Sequence, residues 1–385
     1  MMPPDGHVDA ERERLVSLIR ELAALDGVAG HEQPVVARLR ALLAPYAESV
    51  EVDSYGNLFA WLSSPVRRPS LMVSAHSDEI GLLVKGIEPN GFLRVEKLGG
   101  VVDALLPGRH VRVRGYRGVI GVRPGHLLTA DEQRFVPPVR ELYVDLGFDS
   151  EAEVRALGIR VGDPIAYDEP VEQLANPDRL SGKALDNRVS CALLVLLAAR
   201  LRDVPLRCRP VLVVTVQEEV GLRGAQMAAQ RVAPDAAIVV DTVPAGGTPD
   251  TDLVRDLGIR LGGGPVLTLA SGLGGTRGHL AHPGMRAFLS RVALERGLPV
   301  QLALFPRSTS DVAAVHLAGG GIPSMVVNIA RRYSHSPVET IDLRDVQATL
   351  ELLDAAVRAF DGTVDFDFLA GYHEEDGGPE RSWAR

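Results

Sequence analysis

Cysteine is nearly absent from this chain. Only Cys191 and Cys208 occur among 385 residues, so at most one disulfide can form. A chain of this length needs no such staple. Cys191 lies in an apolar helical run and reads as a small core side chain. An excess of basic residues is also lacking. The formal net charge of -9 argues against nucleic acid as the main partner, because phosphate binding needs a basic face. No stretch approaches the ~18 continuous apolar residues of a membrane span. The opening Met-Met-Pro-Pro-Asp-Gly-His has no apolar signal core, so the expected location is the cytoplasm, with no membrane partner. Internal repeats and low-complexity tracts are missing as well. What is present is a globular composition, 46% hydrophobic and 24% charged. It suffices for a sizeable core, in two domains or in one domain with an insertion.

Leu15, Leu18, Ile19, Leu22 and Leu25 recur at helical spacing. A second helix starts near Pro34, with Val35, Val36, Leu39, Leu42 and Leu43 inward. Strands are expected over 49–52 and 58–62, around a turn sequence at 53–57, and over 71–75. Between about 82 and 170 helical periodicity vanishes apart from 151–157, and short β-type runs follow one another. Alternation of strand and helix then resumes. A helix is expected over 188–201, strands over 211–216, 236–240, 266–270 and 325–329, and a helix over 343–360. The pattern predicts an α/β fold, a mixed sheet with helices on both faces. The main domain would span 1–81 and 171–362, a β-rich insert 82–170, and a mobile tail 363–385.

In open α/β sheets, ligands bind outside the carboxyl ends of the strands. The polar residues that follow the expected strands form a coherent set. The run 71–75 ends in His76, Ser77, Asp78 and Glu79. The run 211–216 ends in Gln217, Glu218 and Glu219, and the run 236–240 in Asp241. The run 325–329 leads to His335, and Asp186 sits just before the 188–201 helix. Singly, each has a plainer reading. Asp186 is a helix N-cap, Glu218 and Glu219 a solvated pair, Asp241 a turn residue and His335 a loop histidine. Lys183, beside Asp186, reads as structural, with a substrate contact as the alternative. Jointly, carboxylates on one rim repel each other, and cations resolve the repulsion. Histidine and carboxylate ligands without thiolates suit zinc first, with cobalt or manganese as alternatives. Two divalent ions balance Asp186, Glu219, Asp241 and one hydroxide, the composition of a two-metal hydrolytic site.

Six segments carry a resemblance to a known family. They are AHSDEIG at 75–81, PGHLL at 124–128, ELYVD at 141–145, SGKALDNR at 181–188, QEEVGLRG at 217–224 and RYSHSPVE at 332–339. At these segments the chain closely resembles the tetrahedral aminopeptidases, metallopeptidase family forty-two. That family includes glutamyl, leucyl and lysyl aminopeptidases and some proteins labelled endoglucanase. The resemblance implies that Asp186 bridges two ions, with His76 and Asp241 completing one and Glu219 and His335 the other. It implies Glu218 as general base and Asp78 as the group orienting His76. It also implies peptide substrates, and an inserted domain that mediates dimerisation and assembly to a dodecamer. Two tracts depart from the family pattern: STSDV at 308–312, which keeps Asp311, and the TVPAGGTP that follows Asp241. Asp311 is a candidate holder of the substrate's α-ammonium, with a structural Asp as the alternative.

The expected activity is removal of N-terminal residues from peptides. Rival readings are a two-metal hydrolase of another amide, such as an N-acyl amino acid, a glycosidase, and a non-catalytic assembly protein. A glycosidase needs paired carboxylates without metal. A decayed enzyme would usually have lost a ligand or the base, and every expected one is present here.

Overall fold

In the computed structural model, residues 5–274 and 278–369 are described, together with the short strands Tyr372–His373 and Gly378–Pro379. Most of the expected tail over 363–385 lies outside the described residues. No helix among them is long and apolar enough to cross a membrane.

Three strands precede the insert: β1 (Ser49–Val52), β2 (Leu58–Trp61) and β3 (Ser70–His76). The turn between the first two is closed by Asp53, whose Oδ1 accepts from the amides of Tyr55, Gly56 and Asn57. The insert is a closed six-stranded barrel. Its strands are β4 (Gly81–Ile87), β5 (Leu93–Leu98), β6 (His110–Val113), β7 (Tyr116–Gly121), β8 (Tyr143–Asp145) and β9 (Pro164–Tyr167). Alternate residues point inward, so Leu82, Val84, Val95, Val111, Val113 and Ile165 share a core separate from the rest.

The large sheet takes its remaining strands from the chain after the insert. They are β10 (Glu172–Gln173), β11 (Arg179–Gly182), β12 (Arg209–Thr215), β13 (Ala236–Pro244), β14 (Val266–Ser271), β15 (His279–Leu280), β16 (Gln301–Phe305), β17 (Ser324–Arg332) and β18 (Glu339–Asp342). The strand order is β1-β2-β12-β3-β13-β17-β18-β11-β10, with β14 pairing β17 and carrying β15 and β16. The four central strands β12, β3, β13 and β17 are mutually parallel. Strand β2 runs antiparallel to β12, so the sheet is mixed.

Both faces of these strands are apolar, and helices cover both. Leu71, Val73, Leu212, Val214, Ile238 and Val327 face one core. It is closed by α1 (Asp5–Ala24), α2 (Gln33–Leu43), α4 (Leu185–Leu201), α6 (Pro283–Glu295) and α8 (Leu343–Ala359); α3 (Glu151–Ala156) belongs to the barrel. Met72, Val211, Val213, Ala237, Val239 and Val326 face the other, under α5 (Arg223–Val232) and α7 (Val312–Val315). Helix α4 is buried from Leu185 through Ala198, as its all-round apolar sequence requires.

Three details differ from the sequence expectations. Strand β13 does not stop at Val240: it continues to Pro244 because Asp241 through Pro244 pair with Asn328 through Arg331 of β17. Asp241 therefore lies within a strand. Strand β17 likewise runs on to Arg332. Helices α5 and α6 were not anticipated. The inward face of α5 is Gly224, Ala225, Ala228 and Ala229, with no long aliphatic side chain among them.

Candidate metal centre and cleft

Strands β3 and β13 pair only as far as Ser74 and Val239. Beyond that point they part, and a cleft opens at the carboxyl edge of the sheet. His76, the last residue of β3, and Asp241 of β13 face each other across it. His76 Nε2 is 3.5 Å from Asp241 Oδ1 and 3.3 Å from Asp186 Oδ1.

Asp186 is in the first turn of α4 but does not cap it. Its own backbone and that of Asn187 are non-helical. The Asp186 N–H donates to Glu339 Oε2 at 2.8 Å, and Asn187 Nδ2 donates to Val240 O at 2.9 Å. The loop after β17 delivers His335 in the left-handed region, φ 56°. Its N–H donates to Glu339 Oε1 at 3.0 Å. His335 Nε2 is then 3.5 Å from Glu219 Oε2 and 3.6 Å from Asp186 Oδ2.

Two donor groups result: His76, Asp186 and Asp241, then Asp186, Glu219 and His335. Within each, the ligand atoms lie within 4.8 Å of one another, and Asp186 is common to both. The histidine tautomers are the informative part. His76 Nδ1 faces the Asp78 carbonyl at 3.2 Å, and His335 Nδ1 faces the Gly100 carbonyl at 3.2 Å. A carbonyl only accepts, so each Nδ1 carries a proton. Nε2 is then the ring atom turned toward the carboxylates, and once the ring is neutral its lone pair is free for a cation. Asp186 Oδ1 is buried and accepts no hydrogen bond. A cation in each group satisfies all of these atoms, so the residues fit a pair of metal ions.

The barrel approaches the centre at Gly100, where a Cβ would collide with the His335 ring. Elsewhere two buried carboxylates clamp three successive amides. Glu32 Oε1 accepts from Gln217 N at 3.0 Å, while Asp78 Oδ1 and Oδ2 accept from Glu218 N and Glu219 N, each at 3.0 Å. Gln217 has φ 58°, and the clamp sets the path of the chain after β12. Asp78 Oδ1 is also 3.5 Å from His76 Nδ1. The Glu218 side chain belongs to neither donor group, yet lines the cleft.

Burial and the charges of Glu219, Asp241 and Asp311 hold Glu218 well above the usual carboxylate range, against the pull of His76. Burial, with Asp186 and Asp78, pushes Glu219 up to about 8. Burial opposes charge on His335, but Asp186 and Glu219 raise it to about 9. Each shift reflects excess negative charge in a space that water cannot screen.

Arg331 and Glu339 were not singled out from the sequence. Arg331 Nη1 touches both Asp186 Oδ2 and Glu339 Oε1. The guanidinium offsets burial and holds Asp186 well below the usual range. The resembling segment 332–339 ends on Glu339, and that was the signal available. Lys183 is 1% exposed and bonds both oxygens of Glu79 at 2.9 Å, with Arg188 Nη2 3.2 Å away. It is part of a buried ionic frame and does not line the cleft. Asp311 is 1% exposed, accepts from Thr215 Oγ1 at 2.5 Å, and does not line the cleft either. It sits behind the site.

Comparison with known proteins identifies the family. The family model described as M42 glutamyl aminopeptidase matches residues 56–352. The chain is 31% identical to the glutamyl aminopeptidase of Lactococcus lactis, over 89% of this chain and 96% of that one. It superposes on an aminopeptidase from the archaeon Desulfurococcus kamchatkensis with a TM-score of 0.87 at 33% identity, covering 93% of this chain and 99% of that one. It also resembles the Pyrococcus horikoshii TET1 peptidase, which can assemble into a tetrahedron or a large octahedral shell, with a TM-score of 0.79 at 27% identity over 90% of this chain and 100% of that one. A fold, a donor set and a sequence match that all point the same way place the chain in the M42 glutamyl aminopeptidase family, a family of peptidases.

Proposed function

We propose that this chain is a metal-dependent aminopeptidase that removes N-terminal residues from peptides. One observation carries the reading: Asp186 is shared by two donor groups whose histidines turn Nε2 toward carboxylate oxygens while Nδ1 faces a backbone carbonyl. His76, Asp186 and Asp241 would hold one divalent ion, and Asp186, Glu219 and His335 the other, zinc being the first candidate and cobalt or manganese alternatives. When bound, such ions supply Lewis acidity toward a carbonyl and lower the pKa of water.

The remaining chemistry belongs to the protein. Glu218 is free of ligand duty and lines the cleft beside both groups. A carboxylate oxygen of Glu218 takes the proton of the attacking water and delivers it to the leaving nitrogen, as base and then acid. Asp78 keeps Glu218 and Glu219 in place through their amides and His76 through Nδ1. Arg331 fixes one oxygen of Asp186.

The assembly proposed is a homo-oligomer of dimers, on the analogy of the TET1 peptidase. The barrel would make the dimer contact, because its loops expose Leu127, Phe135 and Val136. Both cysteines are buried and unpaired, which accords with a reducing cytoplasm.

The test uses metal-loaded protein. It should hydrolyse aminoacyl-nitroanilides with a free amine and spare their N-acetyl counterparts; the reverse preference would favour an N-acyl amidase. Glu218→Gln should keep its metal and lose roughly 10²–10⁴-fold in kcat. A metal-replete variant with full activity would refute the base assignment.

A further inference from the structure

The clamp on the segment before Glu218 uses one oxygen of Glu32. Oε1 accepts from Gly30 N at 2.8 Å and from Gln217 N at 3.0 Å. Among the described residues, Oε2 has no hydrogen-bond partner, and it is not sealed from solvent. Glu32, 4% exposed overall, lines a groove of about 360 Å³ that shares no residue with the metal-centre cleft. Two other charged side chains line this groove, Asp53 and Arg40. Asp53 is fully engaged: Oδ1 accepts the three turn amides, and Oδ2 accepts from Asn57 Nδ2. The exposed Arg40 guanidinium has no acceptor among the described residues. Val36, Ala37, Val52 and Tyr55 add an apolar wall, with Tyr55 61% exposed.

We propose that this groove binds a free amino acid with an apolar side chain, its ammonium on Glu32 Oε2, its side chain on the apolar wall and its carboxylate toward Arg40. An ammonium donates a charge-assisted bond to the open oxygen. Arginine leans toward the N-terminus of its helix, so Arg40 leans toward Glu32, whose Cα lies about 12 Å away along α2. A carboxylic acid without the amine would meet Glu32 with like charge. On the aminopeptidase reading, on which the regulatory part of the proposal rests, this ligand is a product of the reaction. Occupancy reaches the catalytic segment through one hydrogen bond, because Gln217 directly precedes Glu218. A cation at Oε2 draws negative charge from Oε1, so the Gln217 amide is held less firmly and Glu218 with it. The groove is thus a site of product feedback outside the metal centre.

The experiment uses metal-loaded protein and L-leucine, at a pH above the value of about 7 to which burial raises Glu32. Equilibrium dialysis with a peptide hydroxamate saturating the metal centre should show leucine still bound. Glu32→Gln should weaken that binding about tenfold, the loss of a charged partner. Ala37→Phe fills the groove from an exposed helical position and should abolish it. The acid 4-methylpentanoate, which lacks the amine, should not bind. At saturating substrate, where competition at the metal centre vanishes, leucine should lower kcat roughly twofold in the wild type and leave Ala37→Phe unaffected. No bound leucine, or equal binding by wild type and both variants, would overturn the site. Bound leucine with an unchanged kcat would overturn the feedback. Groove binding in a protein that hydrolyses no aminoacyl-nitroanilide would overturn the aminopeptidase reading and the feedback, and leave the site standing.

Discussion

Asp78→Asn tests how the centre is held together. Asp78 is fully buried, and each of its two oxygens accepts one amide, from Glu218 and from Glu219, at 3.0 Å. Asparagine has the same shape but only one oxygen. In either orientation its NH2 faces a backbone N–H. One buried donor loses its partner at a cost of about 1–3 kcal/mol, and the surviving bond loses its charge assistance, a further ~1 kcal/mol. The expected loss is therefore roughly 2–4 kcal/mol, large for one buried atom pair. It falls on the segment that carries both the proposed base and a proposed ligand, so metal affinity should drop roughly 10–100-fold as well. Urea unfolding of chelator-treated protein measures the first, and competition with a chromophoric chelator measures the second. Glu32→Gln is the contrast. Gly30 N and Gln217 N both donate to the same Glu32 oxygen, so a glutamine oxygen can serve both. Burial pushes Glu32 up to about 7, so little charge assistance is lost, and the cost should stay below about 1 kcal/mol. An Asp78→Asn variant within about 0.5 kcal/mol of wild type, with unchanged metal affinity, would refute the clamp.

Three further outcomes are expected. Asp186→Ala should empty both sites together, and normal two-ion occupancy by metal analysis would count against a shared ligand. Gly100→Ala drives a methyl group into the His335 ring, so metal should be lost first from the His335 group, with the ratio falling toward one ion per chain; an unchanged ratio would reject that contact. Burial pushes Asp345 up to about 6, although the Gly262 and Gly264 amides favour its charged form. A carboxyl raised on folding stabilises the fold while protonated. Its contribution is complete below the ordinary 3.8 and is lost as pH rises through about 6. Asp345→Asn should flatten that part of the pH dependence of the urea midpoint, and an unaltered slope would show that Asp345 does not ionise there.

Much of the sheet was legible because its signal is local. Strand β12 alternates Val211, Leu212, Val213 and Val214 between two cores, and such a run reads as a buried strand with no knowledge of its neighbours. The turn at Asp53 was legible for the same reason, since all three of its amides lie within four residues. Helix α5 was missed although its polar face, Arg223, Gln226, Gln230 and Arg231, stands opposite the buried Gly224, Ala225, Ala228 and Ala229: the inward face holds no long aliphatic side chain to draw attention to it. The end of β13 was misplaced because Asp241 and Thr242 are polar. Only pairing with β17 keeps that stretch extended.

The site divides in the same way. The sequence by itself determined which residues stand near strand ends, and so which His, Asp and Glu could meet: His76, Asp186, Glu218, Glu219, Asp241 and His335. Tertiary structure alone decided what holds them. Glu339 reaches back 153 residues to the Asp186 amide, Glu32 reaches 185 residues to Gln217, and Gly100 of the insert receives His335. It also decided that Lys183 and Asp311 stand behind the cleft. The reason is physical. Periodicity and turn chemistry act over a few residues, whereas the partners of a buried charge are set by which strands lie side by side, and strand order is a property of the whole sheet.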